Sequence, residues 1–265
     1  SKAGIVLLPP DVNNSKKMFT IEDSGIRFGL MGLRNLGKMA DGIVKEREKG
    51  EFKSLEDLVD RMIFQVDKKM LEALIYSGAL DGLKDSGTRQ AKIIAVPEIL
   101  DFLKKVKKIE AEDVWFNLPE LDAFYIDLNK IQIDKSMDEF EKRFKLEQEY
   151  KYAGLYITSH PMDDHMFTIE QIGTSNISDV LPSEELEEIT SSFDGRLVKI
   201  AGILKEVKVH YTKKGDLMYF LQIEDKGAEM KGVMFPSSVE GNEHLLENEI
   251  VVIEGRIQSN EMGTQ

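Results

Sequence analysis

The residues of greatest chemical interest lie between Gly32 and Met39, where Gly32-Leu33-Arg34-Asn35-Leu36-Gly37-Lys38 fits the phosphate-cradling pattern G-x-x-x-x-G-K. A nucleotide-binding P-loop continues with Ser or Thr, whose hydroxyl holds Mg²⁺, and Met39 has no oxygen to offer. The flanking sequence has a helical period without strands alternating with helices, so an ATP-binding enzyme is the weakest reading of this string. The same residues suit a simpler task. A tight turn at Asn35-Leu36-Gly37 feeding a helix that starts at Lys38 would turn free backbone N–H groups outward, and such a nest holds a phosphate oxygen without reading a base. Arg34, Lys38 and Lys45 would add positive charge around it. The plain alternative is a helix–turn–helix corner with solvated basic residues. A second turn at Ser77-Gly78-Ala79, followed by a helix carrying Arg89 and Lys92, repeats the unit and favours the phosphate reading.

Other reactive residue types offer less. The chain has no cysteine, which removes disulfides, zinc fingers, iron–sulfur clusters and thiol nucleophiles. His160 and His165 flank Asp163 and Asp164, but their spacing places the imidazoles on different sides of a helix, and Pro161 indicates a turn. Structural roles are expected for them, and no metal site. Two-metal phosphoryl transfer needs closely spaced carboxylates, and there is no Asp-x-Asp on an apolar strand. Phe102, Phe140 and Phe144, at helical spacing, are expected in a core.

These residues need elements to position them, and the composition bounds what those are. The 265 residues are 42% hydrophobic and 8% aromatic, enough to fill the cores of two or three domains. No stretch approaches 18 apolar residues, and the run Ile5–Leu8 is too short for a signal peptide, so a cytoplasmic protein without membrane contact is expected. The net charge of -13 argues against a nucleic-acid partner until it is divided. Residues 1–110 hold 20 Lys and Arg against 17 Asp and Glu, a net of +3; residues 111–195 hold 6 against 20, a net of -14; residues 196–265 hold 9 against 11, a net of -2. The acidity belongs to the middle, including the run Ser183–Glu188, read as a solvated helix N-terminus.

The residue periods change at about the same places. Met39, Ala40, Ile43 and Val44 mark one helical face ended by Gly50, and Ser54 opens a second helix bearing Leu55, Leu58, Val59 and Met62. A third helix is expected near Asp67–Tyr76, and a fourth, capped by Ser86 and interrupted at Pro97, runs into Lys104–Lys108. One long amphipathic helix is expected at about Met137–Tyr152. After Gly195 the period moves towards 2, with strands at Leu197–Val209, Leu217–Glu224, Ala228–Phe235 and Glu249–Ile257 and a short helix at Ser237–Leu246. This is the pattern of an OB-fold, a small barrel that normally has five strands, here expected to stop before the last. The fold class is thus α+β, a mainly helical region followed by a small β-barrel. Single-strand binding there would use Lys213 and Lys214 in the loop between the first two strands, with Tyr211 and Phe220 as stacking aromatics. Leu217, Tyr219, Leu221 and Ile223 are assigned to the core and Phe220 to the outer face.

Several strings carry a resemblance. Pro9-Pro10-Asp11-Val12-Asn13, Ile26-Arg27-Phe28-Gly29-Leu30, Phe52-Lys53-Ser54-Leu55-Glu56-Asp57-Leu58 and Leu71–Asp81 resemble, in order and spacing, bacterial replicative DNA polymerase III alpha subunits. Gly154-Leu155-Tyr156-Ile157-Thr158-Ser159-His160-Pro161-Met162 and the stretch Thr212–Asp225 continue it. The resemblance implies that residues 1–110 are the end of the fingers plus a tandem helix-hairpin-helix region gripping duplex DNA. Residues 111–195 would be an acidic connection, and residues 196–265 an incomplete OB-fold meeting single-stranded template. Asn35-Leu36-Gly37 departs from the Gly-x-Gly typical of such hairpins, though Asn tolerates the left-handed turn. The family's metal-binding aspartates lie in a palm upstream, so no catalytic residue and no cofactor is expected here, Mg²⁺ belonging to that absent palm. Trp115 and Phe116 stand where family members carry a sliding-clamp peptide, without its glutamine. The implied role is a DNA-binding fragment in replication, with duplex DNA, single-stranded DNA, the sliding clamp and other replisome subunits as partners. The rival role is a replisome protein-interaction module in which DNA contact is incidental.

Overall fold

A computed structural model describes residues 6–84, 87–111, 133–182, 192–242, 244–260 and 263–264. The chain divides into two compact units between Ser159 and His160. Residues 133–159 thus pack with the first unit, so division by charge at 110 and 195 follows composition rather than packing. Among the described residues no helix is long and apolar enough to cross a membrane.

The first unit opens with a small sheet of β1 (Leu7–Leu8), β2 (Thr20–Glu22) and β3 (Gly25–Arg27), in which β3 pairs parallel to β1 and antiparallel to β2. Helices α1 (Met39–Glu46), α2 (Leu55–Arg61), α3 (Lys68–Tyr76), α4 (Arg89–Ala111) and α5 (Lys142–Ala153) follow. Their starts obey local chemistry. Ser54 accepts a hydrogen bond from the Asp57 N–H and Asp67 accepts one from the Met70 N–H, each satisfying a donor that the helix leaves open. The apolar stripes read from the sequence are buried: Ala40 and Ile43 of α1, Leu55, Leu58 and Val59 of α2, and Met70, Leu71 and Leu74 of α3 meet in one core. The α4 helix runs through Pro97 without the expected interruption. A proline costs a helix one backbone bond, and here Ala91, Ala95, Val96, Ile99, Phe102 and Leu103 anchor both sides of it in the core. The expected cap Ser86 lies outside the described residues. The 137–152 helix begins later than expected, at Lys142.

The Pro9–Asn13 string is a structural clasp. Asp11 Oδ1 accepts from the Asn13 and Asn14 N–H groups, folding the chain into an Asx turn. Asn13 then exchanges two 2.8 Å hydrogen bonds with the backbone of Phe52. The Val12 N–H donates to the Ala79 carbonyl, and the Arg47 guanidinium donates to the Val12 carbonyl. One short segment therefore ties α1, the start of α2 and the end of α3 together.

The second unit contains α6 (Met166–Ile172), α7 (Ile177–Val180), β4 (Leu197–Tyr211), β5 (Leu217–Glu224), β6 (Glu229–Met234), α8 (Pro236–Val239), β7 (Ile250–Arg256) and the small hairpin β8 (Ser259–Asn260) with β9 (Gly263–Thr264). The main sheet is antiparallel in the order β6-β5-β4-β7. The first half of β4 pairs with β7, from Leu197↔Arg256 to Ile203↔Ile250, and its second half pairs with β5, from Ile203↔Glu224 to Tyr211↔Leu217. A register shift between Leu204 and Glu206 bends the strand between these halves. The sheet curls into a half-barrel of the OB type around Leu204, Leu221, Ile223 and Met230, with Ile177 and Val180 of α7 in the same core. As assigned from the sequence, Tyr219, Leu221 and Ile223 are buried and Phe220 is exposed. The expected 237–246 helix is the single turn Pro236–Val239.

Candidate nucleic-acid interface

The turn before α1 is built as a nest. Asn35 and Gly37 have φ of 69° and 44°, so alternate residues enter the left-handed region. Leu33 and Leu36 alternate with them and are buried, fastening the turn to the core. The Leu36, Met39 and Ala40 N–H groups bond to the Leu33, Leu36 and Gly37 carbonyls. Among the described residues the N–H groups of Asn35, Gly37 and Lys38 have no partner within the protein, and all three residues are exposed. Arg34, Lys38 and Lys45 are exposed as well. Lys17 pairs with Asp41 at 2.9 Å, offsetting the one carboxylate in the first turn of α1. Three N–H groups, three solvent-facing cations and the positive end of α1 suit an anionic oxygen.

The turn at Gly78 is different, and the expectation that Gly78, Arg89 and Lys92 meet phosphate is corrected. Gly78 has φ of 82° but is buried, with the Arg89 guanidinium packed where its side chain would stand. Arg89 is 2% exposed. Its guanidinium donates to Asp81 at 2.7 Å, to Glu149 at 2.8 Å and to the Tyr76 carbonyl at 3.2 Å. Glu149, fully buried on α5, also accepts from the Thr158 N–H and hydroxyl. Burial works against the charge on Arg89, yet Asp81 and Glu149 outweigh it and hold its pKa above the ordinary value. Lys92 is 1% exposed, and burial pushes its ammonium pKa down. Arg89 is turned inward because it pairs with Asp81 and Glu149, an arrangement that composition cannot reveal.

A hairpin that sequence reasoning missed joins α2 to α3. Its Gln65 side chain packs against Gly42 of α1, so this loop lies on the helix that carries Lys38 and Lys45. Lys68 and Lys69 open α3 and are exposed, and among the described residues their N–H groups have no partner within the protein. The signal was present: Asp67-Lys68-Lys69 places two cations directly behind a helix cap, as Lys38 places one at the cap of α1. The α5 helix touches both hairpins. The Tyr152 carbonyl accepts from the Arg34 N–H at 2.8 Å, and its ring stacks on Tyr76 of α3 with centroids 5.5 Å apart. Burial, with Glu72 and Tyr76 adding to it, pushes the Tyr152 hydroxyl pKa up to about 12.

In the second unit, Lys213 and Lys214 stand exposed on the loop between β4 and β5. Thr212 shapes that loop, its hydroxyl accepting from the Lys214 and Asp216 N–H groups. The two aromatic candidates lie on opposite faces. Phe220 pairs in register with Lys208 and Val233, and the His210 ring meets it edge-on at 5.5 Å. Tyr211, 63% exposed, pairs with Leu217 on the other face. Tyr211 and Phe220, both expected as stacking aromatics, therefore stand on two separate surfaces, because their sequence separation across the turn gives them opposite pleat positions. Trp115 and Phe116 lie outside the described residues.

His160 caps the 3₁₀ turn Pro161–His165: its Nδ1 accepts from the Met162 N–H at 3.3 Å, while Asp163 accepts from the His160 N–H at 2.7 Å. Burial pushes the His160 pKa down, partly opposed by Asp163. Among the described residues no three His, Asp or Glu side chains gather as a metal site.

A family model described as a helix-hairpin-helix motif matches residues 4–91. DNA polymerase III subunit alpha of Borreliella burgdorferi is 32% identical over 267 residues, which cover 98% of this chain and 22% of that protein. The subunits of Aquifex aeolicus and Escherichia coli O157:H7 are 30% and 26% identical, covering 94% and 97% of this chain but 19% and 22% of their own lengths. Among solved structures, a putative nucleic acid-binding lipoprotein from Klebsiella pneumoniae covers 38% of this chain and 88% of its own, at 14% identity and a TM-score of 0.29, too distant to carry an argument. The chain spans about a fifth of the curated relatives it matches. With relatives of one kind aligned along nearly its whole length and helical hairpins followed by an OB-type half-barrel in its fold, the chain is similar to one segment of the DNA polymerase III alpha subunits.

Proposed function

We propose that this chain is a DNA-holding part of a replicative polymerase subunit, gripping duplex DNA by its phosphates without reading bases. The observation that carries this reading is the exposed nest at Asn35–Lys38, ringed by Arg34, Lys38 and Lys45. Lys68 and Lys69, at the start of the neighbouring hairpin, extend the cationic surface. Polymerisation itself is assigned to other parts of the longer relatives, since the sequence has no closely paired carboxylates on an apolar strand. Fluorescence anisotropy of the full chain with a labelled 20-base-pair duplex tests the reading. The expected affinity is micromolar or weaker, about the non-specific range. Lys38→Glu/Lys45→Glu should reduce it about tenfold or more. Undiminished binding by that variant would remove the nest from the interface.

Phe220, with His210 and Lys208 beside it on the outer sheet face, supports a second contact, to single-stranded DNA. Lys213 and Lys214 would meet its backbone as it approaches the sheet. Base stacking on an exposed ring is sequence-tolerant, which suits template passing through a polymerase. Contact with a sliding clamp rests on Trp115 and Phe116 alone, and loss of clamp pull-down in Trp115→Ala/Phe116→Ala is its test.

A further inference from the structure

We propose that the second unit contains a nucleotide pocket, at the end of β5 remote from Lys213 and Lys214, that takes one unstacked base with its phosphate. The proposal rests on the single-strand reading above and extends it to a site with a defined shape. The pocket is a cavity of about 340 Å³ bounded by α6, the start of α7 and the turn after β5, at the lower end of the volumes that hold small ligands.

Its lining divides by chemistry. Met162, Met166 and Ile169 form an apolar wall, and two thioethers beside a flat ring make favourable, adaptable contacts. Thr174, Ser175 and Ser178 supply hydroxyls that donate or accept, the versatility needed at a base edge. Lys226 lines the same cavity and is partly exposed, its ammonium paired with Asp163. An incoming phosphate would share or replace that carboxylate.

The walls are held in place before any ligand arrives. Asp225 is 8% exposed and accepts three hydrogen bonds: from Ile177 N–H at 2.6 Å, from Gly227 N–H at 2.7 Å and from Ala228 N–H at 2.8 Å. One carboxylate thus fixes both the turn after β5 and the start of α7, so little ordering entropy remains to be lost on binding. Position supports the same occupant. The eight residues of β5 run from the Lys213–Lys214 loop to this turn, a span of roughly 26 Å that about four to five nucleotides would cross. A strand that enters over the basic loop and stacks on Phe220 reaches the cavity at its far end.

Titration of the full chain with thymidine 5′-monophosphate, 2-deoxyribose 5-phosphate and inorganic phosphate, followed by NMR shifts, tests the proposal. The nucleotide should bind about tenfold or more tightly than either base-free anion, the usual scale of base contacts. Ser178→Phe, which fills the cavity, should weaken nucleotide binding by a similar factor with an unchanged melting temperature. Thr174→Val, which keeps the shape and removes a hydroxyl, should weaken it about threefold and serves if the larger substitution misfolds. Equal binding of the nucleotide and the base-free anions would overturn the pocket, as would undiminished binding by both variants. Octathymidylate separates this from the underlying reading: equal binding by parent and Ser178→Phe refutes the pocket and leaves the sheet face standing. If neither the nucleotide nor octathymidylate binds the parent, both are refuted.

Discussion

Lys38 and Arg89 look alike in the sequence, each a cation near a tight turn, and the structure gives them opposite work. Lys38 faces solvent at the nest, whereas Arg89 joins Asp81 and Glu149 across the core. Their difference depends on Glu149, 60 positions beyond Arg89, a pairing that local spacing does not encode. Glu149→Gln removes the fully buried charge and leaves Arg89 balanced by Asp81 alone, so it should destabilise the first unit by about 1–3 kcal/mol, read from urea unfolding. An effect within the surface range would show that the pair is dispensable. His160 makes a pH-dependent contribution. It caps its turn as a neutral acceptor, and its folded pKa lies below the ordinary value, so the unfolded chain binds the proton more readily. Its stabilisation is therefore complete above pH ~6.5 and is lost as pH falls through the folded pKa. His160→Asn, whose side chain accepts without titrating, should flatten the melting-temperature profile of the second unit between pH 7.5 and 5. An unchanged profile would assign that dependence to other groups.

Among elements, the helical stripes and the strand alternation were legible because burial imposes periods of 3.6 and 2 directly on residue order. The Ser54 helix start and the outward Phe220 were legible for the same local reason. The pairing of the hairpins was not. The sequence reading placed a second phosphate turn at Gly78, where Arg89 closes the site, and passed over Asp67-Lys68-Lys69, where α3 begins in the open. A glycine in a left-handed conformation signals a turn, but only the long-range packing of α4 and α5 decides whether the turn faces water. At the first hairpin that conformation carries a testable cost. Gly37 has φ of 44° with no atom near the position of a Cβ, so Gly37→Val meets backbone strain without a clash. A loss of roughly 1–2 kcal/mol is expected in thermal or urea unfolding, together with weaker duplex binding as the nest distorts. Unaltered stability and binding would show that the turn tolerates an ordinary residue and that its special backbone is incidental.

For the whole molecule, the net charge of -13 says little about the duplex contact proposed above. Duplex binding is proposed for an arrangement of N–H groups and a few placed cations, a scale at which total charge is silent. Such an interface releases counterions from DNA, and the slope of log Kobs against log salt reports how many phosphates are neutralised. The most direct test of the central claim is therefore that slope, measured by anisotropy on the full chain and on Lys38→Glu/Lys45→Glu with two duplexes of unrelated sequence. The account predicts a steep negative slope for the parent, alike for both duplexes, and a slope shallower by about 1–2 for the variant. Binding that is insensitive to salt, that differs strongly between the duplexes, or that keeps the parent slope in the variant would contradict it.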